Sequence, residues 1–326
     1  MVNSILKNEI KQKHLNKDGF TIINLLNLSD CYDFLQWKKE KNLTDTNTYS
    51  KGSQTYSIQK YQENHNFISD KISEQLNHFF QDYKIIFSRF LLKKCAKDAF
   101  IPAHQDRQFT DLDDDKFPSY IIWIPLVDVN LYNGTIGFLK GSHKTYKAPP
   151  PPFPDPKAKR FNDETIFNLF PYLNFVKLKA GQAVIFNIKT YHGSLPNFSK
   201  HERPAIRIDI CHEEAQLFCY FLNKKSDGKL MDKYAVNDSF YTRFPNEKLL
   251  EIYNNDETFP EGELVNSQPY FLSKKSIKEY LVDHEILMNE KTEFDTKVSL
   301  IVSRRKYVSN FEASFFSIFK SNKNNY

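Results

Sequence analysis

His104-Gln105-Asp106, answered by a His192-Gly193-Ser194 turn and by Arg203 eleven residues after His192, is where chemistry is most sharply written into this chain. Two imidazoles and one carboxylate form the ligand set that holds ferrous iron on one face of an octahedron, leaving positions open for a cosubstrate and for O2. The arginine adds a planar fork suited to a distant carboxylate. Taken singly, a histidine is more often a core or surface residue than a ligand, so the joint pattern of types and spacing carries the reading.

Such a set needs elements that bring it together. If residues 103–107 are extended, His104 and Asp106 point to one side of the sheet and Gln105 to the other. The third ligand must come from elsewhere, and His192, just after the apolar run 182–188, is the natural candidate. Along the run that begins at Arg203, parity places Arg203, Ala205, Arg207 and Asp209 on one side and Ile206, Ile208 and Ile210 on the other. An arginine facing a sheet interior is costly to bury unpaired, so a bidentate anionic partner is expected. The C5 carboxylate of 2-oxoglutarate meets that need, with its C1 carboxylate and keto oxygen chelating the iron. An internal pair between Arg207 and Asp209 would account for those two residues and leave Arg203 unexplained.

The rest of the chain reads as follows. Residues 3–17 are a polar helical lead-in, and 20–26 a first strand. Ser29 is placed to cap a helix carrying Cys31, Phe34 and Leu35, and a longer helix runs from about Glu63 through Phe67, Ile68, Ile72, Leu76, Phe79 and Phe80. From Ile85 the period becomes extended: 85–94, 119–127, 135–139, 175–178, 182–188 and 205–211 are short β-branched or aromatic runs bounded by turn residues. Gly134, Gly137, Gly141, Gly181 and Gly193 are expected at turns. Short strands with long connections and helices only at the front predict a mainly β fold with flanking helices, a β-sandwich or jelly roll with an N-terminal helical layer. The proline-rich stretch 148–156 predicts an irregular loop, either a surface crossing or a wall over a pocket. Beyond 212 the pattern changes to a C-terminal α/β extension: a short helix over 245–253, a capping box Ser276-x-x-Glu279 heading a further helix, a strand through Val298, Leu300 and Val302, and a helix over 311–319.

Bulk properties narrow the function classes. With 40% apolar and 15% aromatic residues among 326, the chain is a folded globule rather than a disordered one. Its 45 basic and 40 acidic residues leave a net charge of +5, which suits an anionic small molecule and falls well short of a nucleic-acid footprint. Cys31, Cys95, Cys211 and Cys219 show no metal spacing, and with no signal peptide ahead of Asn3 they are expected to be reduced thiols of a cytoplasmic protein. Apolar runs such as 120–129 are too short to span a membrane.

The His104-Gln105-Asp106 motif, Trp123, the stretch from Asn133-Gly134 to Gly141-Ser142-His143, Gly181-Gln182-Ala183-Val184-Ile185-Phe186, and His192-Gly193-Ser194 with Asn197 and Arg203 together resemble the phytanoyl-CoA dioxygenase family. Lys17-Asp18-Gly19-Phe20 matches a common opening of that family, and the resemblance covers about residues 15–212. It implies a double-stranded β-helix, cupin-like, that binds Fe(II) and 2-oxoglutarate and uses O2 to oxidise an unactivated C–H bond, releasing succinate and CO2. It implies His104, Asp106 and His192 as iron ligands, Arg203 as the clamp on the cosubstrate, Ser194 as a helper at the same carboxylate, and Trp123 as a lining residue of the cosubstrate pocket. Lys94 aligns with a family lysine ahead of the His-x-Asp strand and is not carried over as a site residue. Related halogenases replace the carboxylate ligand with Gly or Ala, so the retained Asp106 points to hydroxylation or another oxygenation outcome. The chain departs from the family at Gln182, where an aspartate is common, and at His201-Glu202, so substrate specificity is not borrowed.

Two units are therefore expected: a 1–212 Fe(II)/2-oxoglutarate dioxygenase jelly roll with N-terminal helices, and a 213–326 extension packing on the barrel as a lid or an oligomer contact. The expected activity is hydroxylation of a small or carrier-linked, possibly anionic organic substrate, with no nucleic-acid partner; the sequence does not set the oligomeric state. Desaturation, cyclisation or epimerisation on the same iron is the first rival, and a non-catalytic cupin-like binding module the second. Asp111-Leu-Asp-Asp-Asp115 lacks the glycine and terminal carboxylate of an EF-hand and reads as a solvated loop. His143 reads as a structural hydrogen bond in a turn, and Cys211 and Cys219 as buried apolar-like residues.

Overall fold

The computed structural model of the chain describes residues 4–43, 57–95, 101–111, 116–145, 172–223, 225, 230–244, 248–249, 251, 253 and 263–266. The expected proline loop at 148–156, the helix headed by Ser276, the strand at 298–302 and the helix at 311–319 lie outside these residues. So do 112–115 of the acidic run.

Three helices lead the chain, each started by a side chain that accepts from a backbone N–H left open in the first turn. Helix α1 (Glu9–Asp18) is capped by Asn8, and Gly19 in the left-handed region (φ 85°) ends it. Helix α2 (Leu28–Glu40) begins two residues earlier than a Ser29 cap would set it, because Asn27 and Asp30 form a reciprocal capping box. Helix α3 (Ile58–Phe79), capped by Ser57, buries Ile68, Ile72 and Leu76 at four-residue spacing.

A five-stranded antiparallel sheet has the order β1-β7-β4-β9-β2. These strands are β1 (Phe20–Asn24), β2 (Tyr83–Lys93), β4 (Tyr120–Pro125), β7 (Gln182–Asn187) and β9 (Arg203–His212). A four-stranded sheet of order β3-β8-β5-β6 faces it, built from β3 (Ile101–His104), β5 (Ile136–Phe138), β6 (Asn174–Phe175) and β8 (His192–Ser194). Helix α4 (Ser142–Thr145) follows β5. Two facing antiparallel sheets of this order are the double-stranded β-helix of a jelly roll.

Strand alternation divides the core in two. Even-numbered Tyr120, Ile122, Ile124, Ile206, Ile208 and Ile210 face α2 and α3, in one cluster with Phe34, Ile68, Ile72 and Leu76. Odd-numbered Ile121, Trp123 and Ala205 turn between the sheets, with Val184, Phe186, Ile136 and Phe138. Each fully buried isoleucine of the outer layer contributes about 1.5–3 kcal/mol, so this layer is what ties the helices to the sheet. Not every expected glycine turn is one: Gly134, Gly141 and Gly181 have positive φ, but Gly137 and Gly193 are cross-strand partners in β5 and β8. At Gly137 the reason is space, since a Cβ there would meet the Phe175 ring at 2.7 Å.

After His212 the chain forms a third sheet, β10 (Leu217–Leu222), β11 (Leu230–Val236) and β12 (Glu263–Asn266), with helix α5 (Phe240–Arg243). Leu217, Cys219, Phe221 and Tyr241 belong to the same buried cluster as the inter-sheet core. Among the described residues no helix is long and apolar enough to cross a membrane.

Candidate active site

Between the two sheets lies a cavity of about 190 Å³. His104, Asp106, His192 and Ser194 border it from the smaller sheet, Arg89, Trp123, Arg203 and Arg207 from the larger. All the expected site residues therefore line one space.

The two histidines are set by strand pairing. His104 ends β3 directly opposite His192 in β8, and the register slips by one residue between Ile101 and His104. A bulge of this kind re-aims the side chain that follows it. Asp106 lies just past the strand end, its backbone N–H donating to the Ile188 carbonyl at 3.3 Å. Gln105 turns the other way and donates to the Lys189 carbonyl, as alternation requires.

Donor atoms of His104, Asp106 and His192 lie within 4.8 Å of one another. His104 Nε2 is 3.6 Å from one Asp106 oxygen and His192 Nε2 3.5 Å from the other. Adjacent ligands of an octahedral ion at about 2.1 Å sit roughly 3 Å apart, so each imidazole–carboxylate separation needs to close by only about half an ångström to suit a metal. His192 is ready for that role: its Nδ1 lies 3.0 Å from the Thr190 carbonyl, which takes the N–H there and leaves Nε2 with its lone pair toward Asp106. Phe186 and Phe138 pack against its ring. Burial, together with His104, pulls the His192 imidazole down to about 3, so it is a neutral donor at physiological pH.

Asp106 is held by a residue that sequence reasoning assigned elsewhere. Arg207 donates through Nη1 to Asp106 Oδ2 at 2.8 Å and through Nε and Nη2 to both oxygens of Asp209, at 2.7 and 2.6 Å. The expected Arg207–Asp209 pair exists, and Arg207 also reaches the carboxylate of the His-x-Asp motif. Burial pushes the Asp106 carboxyl up, but Arg207 and the two histidines outweigh it and hold it well below the usual carboxylate range.

Arg203 stands at the other end of the cavity, 4% exposed, its guanidinium carbon 4.9 Å from the Trp123 ring. Its Nε and Nη1 are buried with no hydrogen-bond partner, and burial brings it down to about 9. Opposite it in register is Lys93, whose ammonium donates to Ser194 Oγ at 2.7 Å and to the Leu195 carbonyl at 2.5 Å. Burial first, and Arg203 second, lower Lys93 well below the usual lysine range. Because Ser194 Oγ accepts from Lys93, its own hydroxyl proton is free to be given to an incoming oxygen. Asn197 ties the turn before Arg203, donating to the Lys93 and His201 carbonyls. Lys93, not the neighbouring Lys94, is thus the lysine of the site. Parity along β2, in which Phe87, Arg89, Leu91 and Lys93 share a face, is the sequence signal that would have found it.

His143 takes the structural role expected of it, with Nε2 at 3.2 Å from the Asn16 carbonyl. Cys211 and Cys219 are buried free thiols, pushed up to about 12 and about 11 by burial. Asp111 accepts from Lys233 at 2.9 Å.

Solved structures to which the chain is similar include HygX from Streptomyces hygroscopicus, determined with nickel, 2-oxoglutarate and hygromycin B. It is 16% identical, with 62% of this chain and 86% of that one covered and a TM-score of 0.43. The α-ketoglutarate-dependent carbocyclase SnoK and epimerase SnoN, both from nogalamycin biosynthesis, are 16% and 17% identical, with TM-scores of 0.46 and 0.43. SnoK covers 64% of this chain and 86% of its own, SnoN 64% and 84%. A comparison with curated protein sequences finds no match. The family model of phytanoyl-CoA dioxygenase matches residues 36–205, more than half of the chain and every residue of the cavity named above except Arg207, which lies two residues past the matched range. The chain belongs to the phytanoyl-CoA dioxygenase family and is a non-haem iron, 2-oxoglutarate-dependent oxygenase.

Proposed function

We propose that this protein hydroxylates an unactivated C–H bond of a small organic substrate, with His104, Asp106 and His192 holding Fe(II) and Arg203 holding the C5 carboxylate of 2-oxoglutarate. One observation carries the reading: three convergent metal donors share a single cavity with a buried arginine whose Nε and Nη1 lack partners. An uncompensated buried guanidinium is expensive unless a bidentate anion answers it. Lys93 and Ser194 supply further donors at the same end, so the anion site is built for more than one hydrogen bond. Trp123 forms its floor and keeps water from the carboxylate.

Iron with its cosubstrate supplies the O2-derived oxidant, and release of succinate and CO2 accompanies the transfer of oxygen. The protein's part is position. The Thr190 carbonyl fixes the His192 tautomer, Arg207 fixes one Asp106 oxygen and leaves the other for the metal, and the bulge in β3 aims His104. Trp123, Ile121, Ile136 and Phe186 make the remaining walls apolar, which suits a reaction that must exclude water.

The test is anaerobic addition of Fe(II) and 2-oxoglutarate, followed through the metal-to-ligand charge-transfer absorption. The expected result is a band in the native protein that Arg203→Ala removes at the same cosubstrate concentration. Absence of the band, or its persistence in Arg203→Ala, counts against the assignment. Product mass then reads the outcome, since hydroxylation adds one oxygen and desaturation removes two hydrogens.

A further inference from the structure

We propose that Arg89 is the anchor for an anionic group, a carboxylate or phosphate-type oxyanion, on the molecule that is oxidised. The inference rests on the cosubstrate reading above, because that reading accounts for Arg203 and leaves Arg89 unaccounted for. Arg89 is in β2, the edge strand of the larger sheet, on the same face as Lys93 and four residues before it. At about 3.3 Å per residue their Cα atoms are roughly 13 Å apart along the strand. Four carbon–carbon bonds of about 1.5 Å span roughly 5 Å, so one 2-oxoglutarate seated on Arg203 and the iron does not also account for the far rung of the sheet.

The pairing around Arg89 creates a demand for negative charge. Its direct cross-strand partner is Arg207. Like charges in that relation repel, and a pair of arginines persists only where carboxylates answer them. Asp106 and Asp209 both bind Arg207, with three hydrogen bonds between them. Among the described residues no carboxylate forms an ion pair with Arg89, and its Nε is buried without a hydrogen-bond partner. What it does have is the Phe87 ring, 5.4 Å from its guanidinium carbon. A cation–π contact of this length orients the group and leaves its fork open. Burial and Arg207 lower Arg89 to about 10, which keeps it a cation at neutral pH.

The side chain borders the same cavity as His104, Asp106 and Arg203. Each other charge there has its answer: Arg207 in two carboxylates, Arg203 in the cosubstrate, Asp106 in Arg207 and the metal. Asp209 and Asp106 favour the Arg89 charge through space, but their hydrogen bonds go to Arg207, so Arg89 is the cation whose fork is left unanswered, close to the metal ligands and away from the Arg203 end. A substrate whose anion docks on Arg89 would be held by its charged end, presenting a carbon a few bonds away to the iron. Arginine rather than lysine at this position favours a planar, two-point grip on an oxyanion.

The experiment is calorimetric titration of inorganic phosphate, and separately of acetate, into the protein under anaerobic conditions with Fe(II) and saturating 2-oxoglutarate. Native protein, Arg89→Gln and Arg89→Lys are compared, and 2-oxoglutarate affinity is measured for each. The expected result is saturable oxyanion binding to the native complex, at least tenfold weaker in Arg89→Gln, largely restored in Arg89→Lys, with 2-oxoglutarate affinity changed less than threefold. The stronger of the two anions distinguishes a phosphate-bearing from a carboxylate-bearing substrate. No binding of either anion to the native complex, or equal binding in Arg89→Gln, overturns the proposal. A loss of 2-oxoglutarate affinity in Arg89→Gln as large as that in Arg203→Ala also overturns it, because Arg89 would then belong to the cosubstrate. If the native protein takes up no 2-oxoglutarate yet binds phosphate through Arg89, the cosubstrate reading falls and the anion site stands.

Discussion

Replacing Arg203 with methionine should move two measurements in opposite directions. In the protein without cosubstrate, Arg203 is a cation sealed between sheets, 4% exposed, and its nearest charged partner across the strands is another cation, Lys93. Burial brings it from 12.5 to about 9, and at about 1.4 kcal/mol per tenfold in acidity the charged form costs on the order of 5 kcal/mol. The Trp123 ring at 4.9 Å returns about 1–2 kcal/mol of that. Methionine keeps most of the packing and removes the charge, so Arg203→Met should stabilise the cosubstrate-free protein by about 3 kcal/mol, raising its melting temperature by roughly 5 °C or more. Binding goes the other way. Two charge-assisted hydrogen bonds at about 1.5–3 kcal/mol each are lost, which weakens 2-oxoglutarate by roughly 10²- to 10⁴-fold. Thermal denaturation without cosubstrate and calorimetric titration of 2-oxoglutarate read the two effects separately. A lower melting temperature combined with 2-oxoglutarate affinity within threefold of native would show that Arg203 is structural and holds no cosubstrate.

Three further perturbations have expected outcomes. Arg207→Met should destabilise the fold by about 3–5 kcal/mol in urea titrations, because Asp209, 0% exposed, is left as an unpaired buried carboxylate. The same change should weaken Fe(II) or Co(II) about 10–100-fold by equilibrium dialysis, since Asp106 loses the group that orients it. Ending the chain at residue 212 removes Leu217, Cys219, Phe221 and Tyr241 from the inter-sheet cluster, and loss of cooperative thermal unfolding is the expected readout. On acidification, His143 should make the native state less stable. Burial lowers its imidazole from 6.5 to about 4, so the unfolded chain takes up the proton first, and stability present above pH 6.5 is lost as pH falls toward 4. The slope of the urea midpoint against pH should be shallower in His143→Gln over that interval.

The metal-binding motif was legible because its residues are chemically distinctive and their roles depend on short spacing. His104-x-Asp106 needs only strand alternation, and Arg203 only a parity that keeps the three isoleucines on the opposite face, where they are found. Lys93 was less accessible, since the choice between it and Lys94 turns on one residue of register in an eleven-residue strand with a slip between Ile85 and Phe87. Arg207's grip on Asp106 joins residues 101 positions apart, and nothing local marks it. Asn27 displaces Ser29 as the helix cap through its reciprocal bond with Asp30, a pairing visible in the sequence as Asn-x-x-Asp but weaker than the usual Ser-x-x-Glu signal. The sheet after residue 212 was missed because its strands are read against each other, not against the barrel pattern.

The facing of His104 and His192 has a consequence for how the chain reaches its native form. β3 is four residues long and meets β8 at only two aligned positions, with a slip between them. So short a ladder specifies its own alignment weakly, and a shift of one residue would carry His104 to the outside of the sheet. An ion gripped by both imidazoles selects the one alignment in which they meet. Metal uptake is then expected to act as a proofreading step on strand pairing, read as slower amide hydrogen exchange at β3 and β8 when the metal is added.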